Sequence, residues 1–186
     1  MKELSLNILD IAENSVKARA DLVEILLTET AETLEISIRD NGCGMKPDFL
    51  AAVTDPFTTS RTTRSVGLGI PLFKLEAEQT GGHFTIDSRH ESTHPENHGT
   101  ETTALFRKDH IDMIPLGDVS ATLVTLIQGN PDIDFLYRHK APEGTVELDT
   151  RELRDILGDV PLNNPEVLAW IGGSLEEQYA ERTNKQ

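Results

Sequence analysis

The sequence predicts an α+β fold: a two-layer α/β sandwich whose mixed, mainly antiparallel sheet carries helices on one face, followed by a C-terminal α/β extension. Three observations lead there. Two runs, "LVEILLTE" and "TLEISIRD", read as strands joined by a short polar turn, a hairpin whose second run alternates apolar and polar residues as a half-buried strand does. Two other stretches, residues 3 to about 18 and the one from Ile70 to a Gly81-Gly82 stop, place apolar residues at helical spacing. The runs "HFTIDSR" and "ETTALFRK" then look like a further pair of strands. Up to residue 110 the order is helix, two strands, helix, loop, helix, two strands.

In the first helix Leu4, Ile8, Ile11, Ala12, Ser15 and Ala18 cluster on one side, while Glu3, Asn7, Asp10, Asn14 and Lys17 fall on the other. A short helix is expected at about 47 to 53. "DPFTTSRTTRSVGLG" has neither helical nor strand period. Pro71 suits the first turn of the next helix, whose apolar residues are Leu72, Phe73, Leu75 and Ala77. Residues 111–186 are punctuated by Gly and Pro and hold 6 basic and 14 acidic residues. They predict a helix at about 118–128, strands near 132–138 and 144–149, and helices near 150–157 and 164–181. The chain thus divides into residues 1–110 and an acidic extension, 111–186, which packs on or continues the same sheet. Trp170 is expected to anchor the last helix in a core or to line a partner groove.

The 186 residues suffice for a sizeable core, and no run approaches the roughly 18 apolar residues of a membrane span. The start, "MKELSLNILDIAENS", lacks the unbroken apolar segment of a signal peptide. One cysteine excludes an internal disulfide and fits a reducing compartment, so the expected location is cytoplasmic. The net charge of −15 repels polyanions, which makes nucleic acid and anionic membrane poor partners. A small anion remains compatible where local dipoles and a metal reverse the field.

Three stretches carry candidate chemistry. Asp10, Asn14 and Lys17 project from one helix face, where a carboxylate, an amide oxygen and an ammonium can orient water, ligate Mg²⁺ and hold a phosphate; the plain alternative is a solvated polar stripe. In "DNGCGM" Gly42 and Gly44 let backbone approach a ligand, Asp40 can accept a hydrogen bond from an exocyclic amine, and Met45 offers a soft surface to a flat ring. An Asn-Gly turn accounts for the same letters. "SVGLGIP" sets Gly67, Leu68 and Gly69 at a helix start, where free N–H groups favour an anion, although an ordinary loop-to-helix joint reads the same. Thr58, Thr59, Arg61 and Arg64 lie in the preceding Thr-rich loop, suited to closing over phosphates or to idling at the surface. His90, His94 and His98 are four apart, but Pro95 argues against a helical metal site, and Cys43 reads as a small space-filler.

Taken together, the order and spacing of these stretches resemble the GHKL superfamily of ATP-binding domains: gyrase-type topoisomerases, heat-shock chaperones, sensor histidine kinases and mismatch-repair ATPases. "LDIAENSVKARA" looks like the N box, "DNGCGM" like the first glycine box, "DPFTTSRTTRSVGLGIPLFKLEAEQTGG" like the histidine-kinase lid and second glycine box, and "GTETTALF" like the last motif strand. The resemblance covers about residues 4 to 107. It implies a Bergerat-type sandwich binding Mg–ATP, with Asn14 holding Mg²⁺, Lys17 contacting phosphates, Asp40 reading adenine and Thr103 supporting Asp40. It also implies backbone donors at Gly67 and Gly69 and closure by Arg61 or Arg64.

Three departures bear on the reaction. Asp10 stands where fast hydrolases of the superfamily have a glutamate, and Ser65 where a glycine often precedes the second box. Histidine kinases carry phospho-accepting helices before the N box, and only a few residues precede it here, so a self-contained histidine kinase is not expected. The resemblance therefore implies a phosphotransferase acting in trans on a protein partner, a slow ATPase switch, or a nucleotide-gated binding module.

Overall fold

The computed structural model describes residues 3–54 and 68–184. Its elements are α1 (Leu4–Lys17), β1 (Leu22–Glu29), β2 (Thr33–Asp40), α2 (Pro47–Val53), α3 (Gly69–Gln79), β3 (His83–Arg89), β4 (Gly99–Arg107), α4 (Val119–Gly129), β5 (Asp134–Ala141), β6 (Gly144–Asp149), α5 (Thr150–Leu157) and α6 (Pro165–Thr183). Both strands of the first hairpin coincide with the two expected runs, and one buried face fixes their register. Strand β5 begins later than the expected 132–138 and runs further, since its pairing with β1 continues to Lys140 and its hairpin with β6 to Ala141.

The six strands form one sheet in the order β3-β4-β2-β1-β5-β6. Neighbours are antiparallel except β1 and β5, whose parallel pairing needs the long crossover that ends in α4. The hairpin of β5 and β6 therefore continues the sheet begun by residues 22–40. Its free edge is blunted: Gln178 of α6 accepts the Glu147 N–H at 2.9 Å and donates to the Glu147 carbonyl at 3.1 Å.

One sheet face is apolar and covered. Val23, Ile25 and Leu27 of β1, Ile36 and Ile38 of β2, Ala104 and Phe106 of β4, and Phe135 and Tyr137 of β5 are buried there. Helices α1, α3, α4 and α6 supply Ile8 and Ile11, Phe73 and Ala77, Leu123 and Ile127, and Ile171 and Leu175 to the same core. Phe73 meets Phe84 edge-on and tilts against Phe106, with ring centroids 6.3 and 5.6 Å away. The other face is polar: Asp87, Glu101, Arg39 and Glu24 are cross-strand neighbours in one row, and Thr85, Thr103 and Ser37 in the next.

Asn7 departs from the expected polar stripe. It is fully buried, because α3 and α4 flank α1 as well as the sheet beneath, and its Nδ2 donates to Glu76 Oε2 of α3 at 2.7 Å. Among the described residues no helix is long and apolar enough to cross a membrane.

Candidate functional site

Strand β2 ends in Asp40, which shares the parity of Ile36 and Ile38 and so points to the helix-covered face. There the Ser15 hydroxyl of α1 donates to Oδ2 at 2.7 Å, and the Gly42 N–H donates to Oδ1 at 2.9 Å. Each carboxylate oxygen is thus held by one donor and keeps acceptor capacity for another. The following turn is fastened to the end of α1: Cys43 N–H donates to the Ala18 carbonyl at 2.8 Å, and a Cβ at Gly42 would lie 2.8 Å from that oxygen. Gly44 has φ +66°, and a Cβ there would fall 1.9 Å from the Arg89 carbonyl oxygen, so only glycine fits.

Ser88 of β3 joins this turn to β4. Its oxygen accepts the Met45 N–H at 2.8 Å, and its single proton goes to the Gly99 carbonyl at 3.1 Å. The 2.8 Å contact with Thr100 is then donated by the Thr100 hydroxyl. The resulting pocket has walls of Ile11, Ile38, Met45 and Ile70, and polar groups from Asn14, Asp40, Thr100 and Thr102. Apolar walls around one fixed carboxylate suit a flat heteroaromatic ring bearing an amine. A wider cleft of about 480 Å³ opens on the opposite face, but Leu22 is its one large apolar side chain among the described residues, and its other groups mix Glu24, Asp87 and Glu101 with Arg39 and Arg89. Charge of both signs without a ring-sized apolar wall makes it the poorer nucleotide site.

Asn14 lies at the pocket mouth, and its amide has no hydrogen-bond partner among the described residues. An amide oxygen left open there fits a hard cation carried by a phosphate chain. Asp10, one turn earlier, packs against the start of α3: a Cβ on Gly69 would come 3.1 Å from Asp10 Cβ. Burial and the neighbouring Glu13 hold the Asp10 pKa above the usual carboxylate value, against the pull of Lys17. Lys17 is exposed beyond the pocket, with Nζ 3.7 Å from Glu13 Oε2. Leu68 precedes α3 and gives it no side-chain cap, which leaves the first-turn N–H groups available. Thr58, Thr59, Arg61, Arg64 and Gly67 lie outside the described residues.

Thr103 is not where the sequence reading placed it. Along β4 the inward residues are Thr100, Thr102, Ala104 and Phe106, so Thr103 faces the other side of the sheet, opposite Ser37, to which its hydroxyl donates at 3.3 Å. Thr100 is the residue directly across from Asp40. Ser15, Ser88 and Thr100 are the site residues the sequence reading missed. Counting by twos back from the apolar Phe106 finds Thr100, whereas nothing in the sequence links Ser88 to Met45. No group of His, Cys, Asp or Glu suited to a metal occurs among the described residues. The rings of His90 and His94 bond Ser92 and Thr93, and His98 Nδ1–H donates to the Gly42 carbonyl at 2.6 Å.

The sequence profile of the histidine kinase-, DNA gyrase B-, and HSP90-like ATPase family matches residues 2–110. That is more than half of the chain, and the protein belongs to this family. Over 107 residues the chain is 34% identical to the sensory histidine kinase/phosphatase NtrB of Rhizobium meliloti, a match covering 49% of this chain and 28% of that protein. The chain therefore corresponds to well under half of that relative's length. Two solved structures share the fold. The N-terminal domain of a DNA repair protein matches with a TM-score of 0.53 and 19% identity over 80% of this chain and 53% of that one. The ATPase domain of Aquifex aeolicus MutL, complexed with ADP, matches with a TM-score of 0.51 and 15% identity over 84% of this chain and 69% of that one.

Proposed function

We propose that this protein binds Mg–ATP and passes the terminal phosphoryl group to a separate protein in the cytoplasm. The observation that carries the reading is the Asp40 carboxylate, fixed by Ser15 and Gly42 at the end of an apolar-walled pocket beside the amide of Asn14, which has no partner among the described residues. In this reading Asp40 accepts from the exocyclic amine of adenine, and Met45 lies against the ring. Asn14 holds Mg²⁺ through its side-chain oxygen. Lys17, Arg61 and Arg64 offset phosphate charge, and Gly67, Leu68 and Gly69 present backbone at the start of α3. Held by Asn14 together with the nucleotide, Mg²⁺ would offset the negative charge of the phosphates. Asp10 accepts the proton of the attacking group, a task its raised pKa suits.

In this reading the acceptor lies on another protein; the histidines present here are placed in strands, His83 and His139, or in loops, His90, His94, His98 and His110. A second reading, a slow ATPase whose nucleotide state governs a partner, is favoured by the position of Asp10 at the start of α3, where a carboxylate can orient water. Incubation with γ-labelled ATP and fractionated extract separates the two. Label on a partner protein supports transfer; released phosphate alone, abolished by Asp10→Asn, supports the switch. In either case ATP should raise the melting temperature, and Asp40→Asn should remove that rise.

A further inference from the structure

We propose that the open groove between α5 and the start of α6 is the docking site for a basic amphipathic helix of a partner protein, a surface independent of the nucleotide pocket. The groove encloses about 300 Å³ and is lined by Leu153, Ile156 and Leu157 of α5 and by Glu166, Val167 and Trp170 of α6. Ile156 is 80% exposed and Trp170 57%, large apolar side chains that face solvent on both walls of one furrow.

The way α5 is fastened explains why its apolar stripe stays partly open. Thr150 is the one buried residue of this helix. Its arginines anchor it instead: Arg154 donates to Asp134 Oδ1 at 2.7 Å and to the Pro131 carbonyl at 2.6 Å, and Arg151 clasps Asp149 at 2.6 and 2.9 Å. Held largely through its polar side, α5 rests Leu153 and Leu157 half-buried against the core and leaves Ile156 exposed, the three at the i, i+3, i+4 spacing of a helix-binding stripe. Two walls of helix with an apolar floor between them form a helix-in-groove receptor.

Charge selects the occupant. Glu166 lines the furrow, and Glu152 and Asp159 adjoin its α5 wall along the chain; all three are exposed, and none is in an ion pair among the described residues. The nearby positive charges, Arg151 and Arg154, are already taken by Asp149 and Asp134. The rim is therefore unpaired and acidic, complementary to lysine and arginine flanking an apolar face. A second copy docking the same surface would set acid against acid, and an anionic bilayer would be repelled by the rim and by the net charge of −15. The eight residues of α5 are about 12 Å long, so the occupant engages it over about two turns.

Trp170 is the chain's single tryptophan and reports on its own groove. The test titrates the full chain with a synthetic tryptophan-free Leu/Lys helix of about four turns, alongside a peptide of equal composition scrambled to destroy the apolar face. A saturable blue shift of the Trp170 emission with the amphipathic peptide alone is expected. It should weaken at least about tenfold between low and high salt and in Glu152→Lys/Glu166→Lys, and vanish in Ile156→Glu. Ile156 is exposed enough for that variant to fold, which circular dichroism checks, and Ile156→Gln provides a second, uncharged variant. The proposal is overturned by no shift, by a shift equal for the scrambled peptide or unaffected by Ile156→Glu, by a shift on concentrating the protein alone (a second copy), or by one on adding phosphatidylglycerol vesicles alone (a lipid surface).

Discussion

The Ser15 hydroxyl of α1 donates to Asp40 Oδ2 at the end of β2 at 2.7 Å, so the helix that carries Asn14 and the strand that carries Asp40 are tied at the pocket. With Gly42 N–H on the other oxygen, the carboxylate plane is set before any ligand arrives. Ser15→Ala removes one of two constraints and leaves the acceptor in place. ATP affinity, measured by isothermal titration calorimetry, should fall about ten- to hundredfold, the worth of one hydrogen bond to a charged group. Asp40→Asn should abolish measurable binding. An unchanged affinity in Ser15→Ala would show that the turn alone orients Asp40.

Thr100 and Thr103 offer a within-strand comparison. The Thr100 hydroxyl holds Ser88, which holds the Met45 N–H, whereas Thr103 bonds Ser37 on the far face. Replacing Thr100 by valine should weaken ATP binding about three- to tenfold, and the same change at Thr103 should stay within about twofold. Calorimetry on the two variants gives the answer directly, and equal losses would contradict the facing derived from β4.

Much of the fold was legible because one sheet face is apolar. Apolar residues at every second position, Val23, Ile25 and Leu27 in one strand and Leu34, Ile36 and Ile38 in the other, favour the register that buries Ile25 and Ile38, and the structure adopts it. The candidate site was legible in outline because Asp40, Gly42 and Gly44 share one turn, written in adjacent letters, although Ser15 and Arg89, which constrain Asp40 and Gly44, come from distant stretches. Thr103 was misassigned because the triplet Glu101-Thr102-Thr103 has threonines on both faces, and only the count from Phe106 decides between them. Asn7 was misread because a helical wheel assumes one covered side, while α3 covers a second. Contacts such as Ser88 with Met45, 43 residues apart, have no local signature at all.

Gly44 and Gly129 should respond oppositely to alanine. At Gly44 a Cβ would stand 1.9 Å from backbone oxygen at φ +66°, and no side-chain rotation relieves that contact. The loss should exceed about 3 kcal/mol in urea unfolding, or the variant should fail to fold. Around Gly129, at the end of α4, nothing lies within 4 Å of the added carbon. Gly129→Ala should be neutral or stabilise by about 0.4–1 kcal/mol through the unfolded chain. A mild effect at Gly44 would mean the first glycine turn can rearrange, and with it the position of Asp40.

His139 makes stability depend on acid. The ring is fully buried between Tyr179, whose hydroxyl is 3.0 Å from Nδ1, and Glu29, whose Oε2 is 3.0 Å from Nε2. Nε2–H donates to the carboxylate and Nδ1 accepts from Tyr179, so the neutral tautomer satisfies both nitrogens. Burial foremost, then the nearby Arg182 charge, lowers the pKa from 6.5 to about 4, against the pull of Glu29. Glu29 is pushed up by its own burial but pulled further down by Lys108 and His139. A histidine with a depressed folded pKa takes up its proton more readily when unfolded, so stability falls as pH drops from about 6.5 towards about 4, by about 3 kcal/mol at most. Glu29 contributes in the same direction but only below its unfolded value of 4.5, so the upper part of the window belongs to His139. Urea unfolding at pH 7, about 5.5 and about 4.5 should show that decline in the native chain and a flatter profile in His139→Gln. Parallel profiles would mean that the ring is already protonated, or that its burial is lost, near neutral pH.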